Sequence, residues 1–111
     1  MNEIRLAQLK ALLEVEPDDP FLVYGVAQEY VAAGDHAGAK PWFERLANEH
    51  PNYVPTYYHY GLSLYHLQEV EAAIEIWKKG VDVAQAAGDR KTVAEIKELL
   101  EDLGDEDDEE W

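Results

Sequence analysis

The chain has 111 residues, enough for one domain with a modest core, and no cysteine, which rules out disulfides and thiolate metal sites. Twenty-four Asp and Glu face nine Lys and Arg, a formal net charge of -15, which sets aside nucleic acid and anionic membrane surfaces as partners. This balance favours a basic partner, or suits a high-salt habitat in which screening makes such a surface tolerable.

Residues 1–13 lack the basic region and solid apolar run of a secretory signal, so the expected location is cytoplasmic. They carry instead Ile4, Leu6, Leu9, Leu12 and Leu13 at helical spacing, followed by Pro17. Asp19-Pro20 opens a second predicted helix: the carboxylate caps free amides, and Pro loses no hydrogen bond in a first turn. Its stripe is Val23, Val26, Ala27, Tyr30 and Val31, and Gly34-Asp35 ends it and starts the next. Phe43, Leu46 and Ala47 mark the third, closed by Pro51. Pro41 lies inside this helix, which implies either a late start or kinked first turns. A fourth runs from about Pro55 to His66 or Leu67, and a fifth from about Glu69 to Ala87 before Gly88. Asp89 caps the last, Arg90 to Leu103, with the face Val93, Ile96, Leu99, Leu100 and Leu103. The class is all-α, about six helices, and the short turns force neighbours to pack antiparallel.

Laid against itself at an offset of 34, the chain repeats. Ala27 falls on Gly61, Val23 on Tyr57, Val26 on Tyr60, Ala39 on Ala73 and Phe43 on Trp77. Backwards, Phe43 falls on Leu9, Leu46 on Leu12 and Pro51 on Pro17. These residues resemble the tetratricopeptide repeat family. Its pattern appears as Val23, Val26, Ala27, Tyr30, Ala39, Phe43, Leu46 and Pro51, then as Tyr57, Tyr60, Gly61, Leu64, Ala73, Trp77 and Gly80. Two positions depart from it: Leu46, where the family prefers a small residue, and Gln85, where it has Pro. The resemblance implies a single domain over residues 1–104. It divides into a half unit at 2–19, repeats at 20–53 and 54–87, and a capping helix at 89–103. It also implies a right-handed superhelix of antiparallel helix pairs, an α-solenoid.

In this family the first helix of each pair lines a concave face. The positions that carry it correspond to Phe21, Tyr24, Gln28 and Val31, and to Pro55, Tyr58, Leu62, Tyr65 and His66. The expected partner-binding set is Phe21, Tyr24, Gln28, Tyr58, Leu62, Tyr65 and His66. Some family members grip a C-terminal carboxylate with Lys, Arg and Asn at these positions. Tyr24, Gln28, Tyr58 and Leu62 stand there instead, so a clamp of that kind is not expected. Aromatic rings suit an apolar or aromatic-bearing peptide, or a helix laid in the groove.

Catalytic chemistry is thin. The glycines are scattered rather than gathered in a phosphate-cradling loop, and Ser63 is the sole serine. The four histidines, His36, His50, His59 and His66, show no i, i+4 pair for zinc. No catalytic residue, cofactor or metal ligand is assigned. The expectation is a non-enzymatic protein- or peptide-binding adaptor. Its alternatives are a self-associating module that buries the aromatic face in a homodimer, and an enzyme of unidentified class. Residues 105–111 form an acidic tail ending in Trp111, read as disordered and solubilising, or as a segment that docks in its own groove or a neighbour's.

Overall fold

The computed structural model describes residues 2–104; the tail with Trp111 lies outside them. Six helices follow in order: α1 (Glu3–Val15), α2 (Pro20–Ala32), α3 (His36–Glu49), α4 (Pro55–His66), α5 (Val70–Ala86) and α6 (Arg90–Asp102). Their ends are set by local chemistry. The Asp19 carboxylate accepts from the Phe21 amide at 2.9 Å, with Pro20 in the first turn. Asp35 accepts from Gly38 N–H at 2.8 Å, and Asp89 from Thr92 N–H at 3.1 Å. Gly34 and Gly88 take left-handed backbone with φ of 74°, which glycine adopts without steric cost. The turn after α4 is the repeat equivalent of the Gly34 turn. There Gln68 holds φ of 65°, a conformation that costs a side-chain-bearing residue about 1 kcal/mol or more.

Pro41 does not delay α3. The helix begins directly after its Asp35 cap and runs through the proline. Pro41 and Ala37 are both exposed, so the carbonyl deprived of its i+4 donor lies in an exposed stretch of the helix.

Sequential helices pack pairwise, and α2 also touches α4 as α4 touches α6. Among the described residues the backbones of α1, α3 and α5 do not approach one another, and α1 meets α3 through side chains, with Lys10 Nζ 5.7 Å from the Trp42 ring centroid. The even-numbered helices therefore form a continuous inner row, with the odd-numbered ones set outside it in a body of 44 × 28 × 20 Å. The core lies between the rows and includes Val23, Val26, Phe43, Leu46, Tyr57, Trp77, Ile96 and Leu100, all at most 1% exposed. α1 packs its backbone against α2 at the end of the rows, and of the predicted stripe Leu9 and Leu13 are buried while Ile4 and Leu12 remain exposed.

Size is exchanged across the rows within each unit. A Cβ on Gly61 would stand 2.0 Å from Trp77 Nε1 and 2.4 Å from Trp77 Cδ1, so the indole fills the space that a larger residue would take. The indole N–H donates to the Tyr58 carbonyl at 3.2 Å. The first unit has the slightly larger Ala27 with the smaller ring of Phe43 at the equivalent places, both fully buried. The departure at Leu46 follows the same logic. Its counterpart Gly80 would drive a Cβ to within 2.5 Å of Tyr57 Cβ. The first unit carries Val23 in place of Tyr57, and a leucine in place of Gly80 makes up the volume. The Tyr57 hydroxyl donates to the Pro51 carbonyl, tying α4 to the turn before it.

Replacing Gly61 with Ala is expected to destabilise the fold by about 2–3 kcal/mol, because the added Cβ overlaps the buried indole and displacing that ring strains its hydrogen bond to the Tyr58 carbonyl. Urea unfolding followed by tryptophan fluorescence measures this; a loss under about 0.5 kcal/mol would show that the Trp77 contact yields easily.

Candidate functional site: the inner helical row

α2, α4 and α6 alternate with antiparallel neighbours and so run parallel to one another. Two cavities open between α4 and α6. The first, about 320 Å³, is lined by Tyr24, Val54, Pro55, Tyr58, His59, Asp89, Thr92 and Glu95. The second, about 210 Å³, is lined by Leu62, Tyr65, Trp77, Leu99, Asp102 and Leu103. The first lies at the N-terminal ends of both helices and the second further toward their C-termini.

The rings of the first cavity hold one another in place. Tyr24 meets His59 edge-on at a centroid distance of 6.1 Å and Tyr53 at 5.9 Å, and Tyr58 meets His59 at 5.1 Å. Burial raises the Tyr24 hydroxyl above its ordinary value, with Tyr53 adding to the shift. Burial lowers the His59 imidazole, with Glu95 opposing it in part, so the ring is neutral at pH 7. Asp89 is lowered by the hydrogen bonds from Thr92, whose hydroxyl donates to it at 2.7 Å, and remains a carboxylate.

The seven residues singled out in the sequence are distributed unevenly. Tyr24 and Tyr58 share the first cavity, and Leu62 and Tyr65 line the second. Phe21 is 66% exposed and lines neither. Gln28 is half-buried on α2, and its side-chain oxygen is buried without a hydrogen-bond partner. His66 is exposed and stacks on His36 of α3, ring centroids 4.4 Å apart and planes 8° apart, which draws it to the α3–α4 seam. The α6 contribution of Asp89, Thr92, Glu95, Leu99, Asp102 and Leu103 was missed. A signal existed: one further step of 34 residues carries Tyr58 to Thr92 and Tyr65 to Leu99.

His36 and His66 do not converge on a metal, because lone pairs lie in the ring planes and these planes are nearly parallel. Among the described residues no group of three or more metal-ligating side chains is assembled, and no helix is long and apolar enough to cross a membrane. The His36 Nδ1 lies 2.9 Å from the Ser63 hydroxyl.

A layered helical repeat of this kind is a non-catalytic scaffold for protein–protein interaction. No protein-family model and no curated protein matches the chain. Solved structures do. The tetratricopeptide repeat domain protein of Salinibacter ruber is 35% identical, with a TM-score of 0.73, over 79% of this chain and 99% of that one. The chain belongs to the tetratricopeptide repeat family. Two further structures share the fold: a Bordetella parapertussis protein (24% identity, TM-score 0.78, 92% of this chain and 89% of that one) and the Sgt2 repeat domain of Aspergillus fumigatus (20%, 0.70, 89% and 68%).

The histidine stack has a pH consequence. Burial lowers His36 below its ordinary 6.5, the neighbouring His66 lowers it further, and Asp35 opposes both. Below 6.5 the unfolded chain takes up this proton more readily than the folded one. The contribution of His36 to stability is therefore full above that value and lost as pH falls through the lower folded-state midpoint. His66→Gln is expected to move the folded-state midpoint of His36 part of the way back up, read from ring proton shifts in an NMR titration. An unmoved midpoint would leave burial as the sole cause.

Proposed function

We propose that this chain is an adaptor that binds a protein segment along the inner row of helices, through a concave, largely aromatic face. The observation that carries this reading is the pair of cavities between α4 and α6, framed by Tyr24, Tyr58, Leu62 and Tyr65. Side-chain-sized hollows with aromatic and aliphatic walls suit anchor residues of a partner. Tyr65, 42% exposed, keeps a wet hydroxyl beside an apolar ring edge, a common property of contact surfaces. Phe21 extends the apolar surface along α2, with the half-buried Gln28 on the same helix. His66, held on His36, stands at the border of this surface. The net charge of -15 adds a bias toward basic segments and speeds their approach.

Selection from a displayed random-peptide library tests the reading. The expected outcome is a set of peptides whose affinity falls tenfold or more in Tyr65→Ala and several-fold in Phe21→Ala, both exposed enough to leave folding intact. Light-scattering mass across a concentration series runs alongside. A concentration-dependent dimer that no peptide dissociates would favour burial of this face against a second copy. Peptides indifferent to both substitutions would overturn the inner face as the site.

A further inference from the structure

The two cavities differ in chemistry, and the difference specifies what the inner row recognises. The first combines the Tyr24, Tyr58 and His59 rings with the carboxylates of Asp89 and Glu95 and, among the described residues, has no Lys or Arg in its lining. A cationic side chain meets its needs there: the aliphatic stem packs on the rings, the charged head reaches a carboxylate, and ring faces attract cations in their own right. Asp89 already accepts twice from Thr92, but a carboxylate has acceptor sites to spare. Glu95 is exposed on the same wall. An acidic side chain would face two like charges. His59, neutral at pH 7, does nothing to offset them.

The second cavity is walled by Leu62, Tyr65, Trp77, Leu99 and Leu103, with Asp102 as its only carboxylate among the described residues. The Trp77 indole N–H is already donated to the Tyr58 carbonyl, so the ring adds hydrophobic wall and no demanding polar group. An aliphatic or aromatic side chain fits this chamber. Both helices pass the acidic chamber first and the apolar one second, so the spacing follows from helix geometry. From Tyr58 to Tyr65, and from Thr92 to Leu99, is two turns, a rise of about 10 Å.

We infer that the α4–α6 groove reads a two-point code, a Lys or Arg and an apolar side chain on one side of a partner segment and about 10 Å apart. This rests on the inner-face reading and sharpens it. Two backbones present such a pair: a helix at i and i+7, or a polyproline-type extended segment at i and i+3, with three residues per turn and about 3.1 Å per residue.

The probes are synthetic peptides in both frames, one Ala/Gln-rich and helical, one proline-rich. Each carries Arg and Leu at the stated spacing, made in both orders. Binding to the full chain is followed by amide NMR shifts and by the indole N–H shift of Trp77. At least one frame is expected to bind with shifts at Tyr58, Glu95, Leu99 and Leu103. Changing its Arg to Glu, its Leu to Gln, or the helical spacing from seven to five should each weaken it tenfold or more. Glu95→Lys, at an exposed position, should weaken the Arg peptide and strengthen the Glu peptide.

Equal affinity for the Arg and Glu peptides would overturn the cation preference of the acidic chamber, as would indifference to Glu95→Lys. Binding that shifts Phe21 and Gln28 but not α6 would overturn the groove while leaving the inner face as a peptide site. Failure of both frames to bind, while library selection still yields peptides sensitive to Tyr65→Ala, would overturn the code alone. Failure of both, with no such peptides, would remove the inner-face reading as well.

Discussion

The contact on which the second unit depends is a ring of the outer row pressed against a missing side chain of the inner row. Trp77 occupies the space that any Cβ on Gly61 would need, and Tyr57 does the same opposite Gly80. Each large residue is paired with an absence, so α4 and α5 approach closely along their length. Dense packing of this kind tolerates changes of volume poorly, and so the same seam in the first unit is rebuilt with Ala27, Phe43, Val23 and Leu46 rather than altered at one place. A pattern of preferred residue sizes would mark Leu46 as an exception. In the folded chain it is the matching half of an exchange.

That seam determines what the inner row can present. Because Trp77 reaches between Gly61 and the far edge of α4, its ring becomes a wall of the apolar cavity while its N–H is satisfied by the Tyr58 carbonyl. The residues that hold the unit together thus also shape the surface on its inner side. Short turns contribute equally. Three connections use a left-handed residue, at Gly34, Gln68 and Gly88, which returns the chain at once and keeps the even-numbered helices parallel and adjacent. Parallel neighbours give the α4–α6 groove a direction, with an acidic aromatic end and an apolar end.

Charge plays a different part from packing. The ion pairs that join helices, Arg5 to Glu29 at 3.0 Å and Lys40 to Glu69 at 3.0 Å, lie at the surface, where such pairs contribute on the order of 1 kcal/mol or less. With acids far in excess, most carboxylates have no cation to meet within the chain, and the field they create acts on what approaches. Fold and charge are therefore nearly independent in this protein: burial of apolar surface makes the solenoid, and the excess of carboxylates leaves its exterior strongly acidic.

The six helices, the caps at Asp19, Asp35 and Asp89, and the 34-residue period were legible in the sequence because each depends on neighbours along the chain. Asp19-Pro20, Gly34-Asp35 and Gly88-Asp89 act within one turn, and apolar spacing needs only the helix's own geometry. Of the candidate site, Tyr24, Tyr58, Leu62 and Tyr65 were legible only through the family resemblance, which implies that the first helix of each pair lines one face. What one helix places beside another was not. The role of α6, with Asp89, Glu95 and Leu99 facing α4, depends on a contact between segments some thirty residues apart. The His36–His66 stack joins α3 to α4, and no local pattern encodes it. Pro41 left two alternatives open because its tolerance depends on which side of the finished helix meets solvent. Local chemistry along the chain determined the elements and their order; only the tertiary structure decided which side chains share a cavity, because that is a matter of distance between elements and not of position within one.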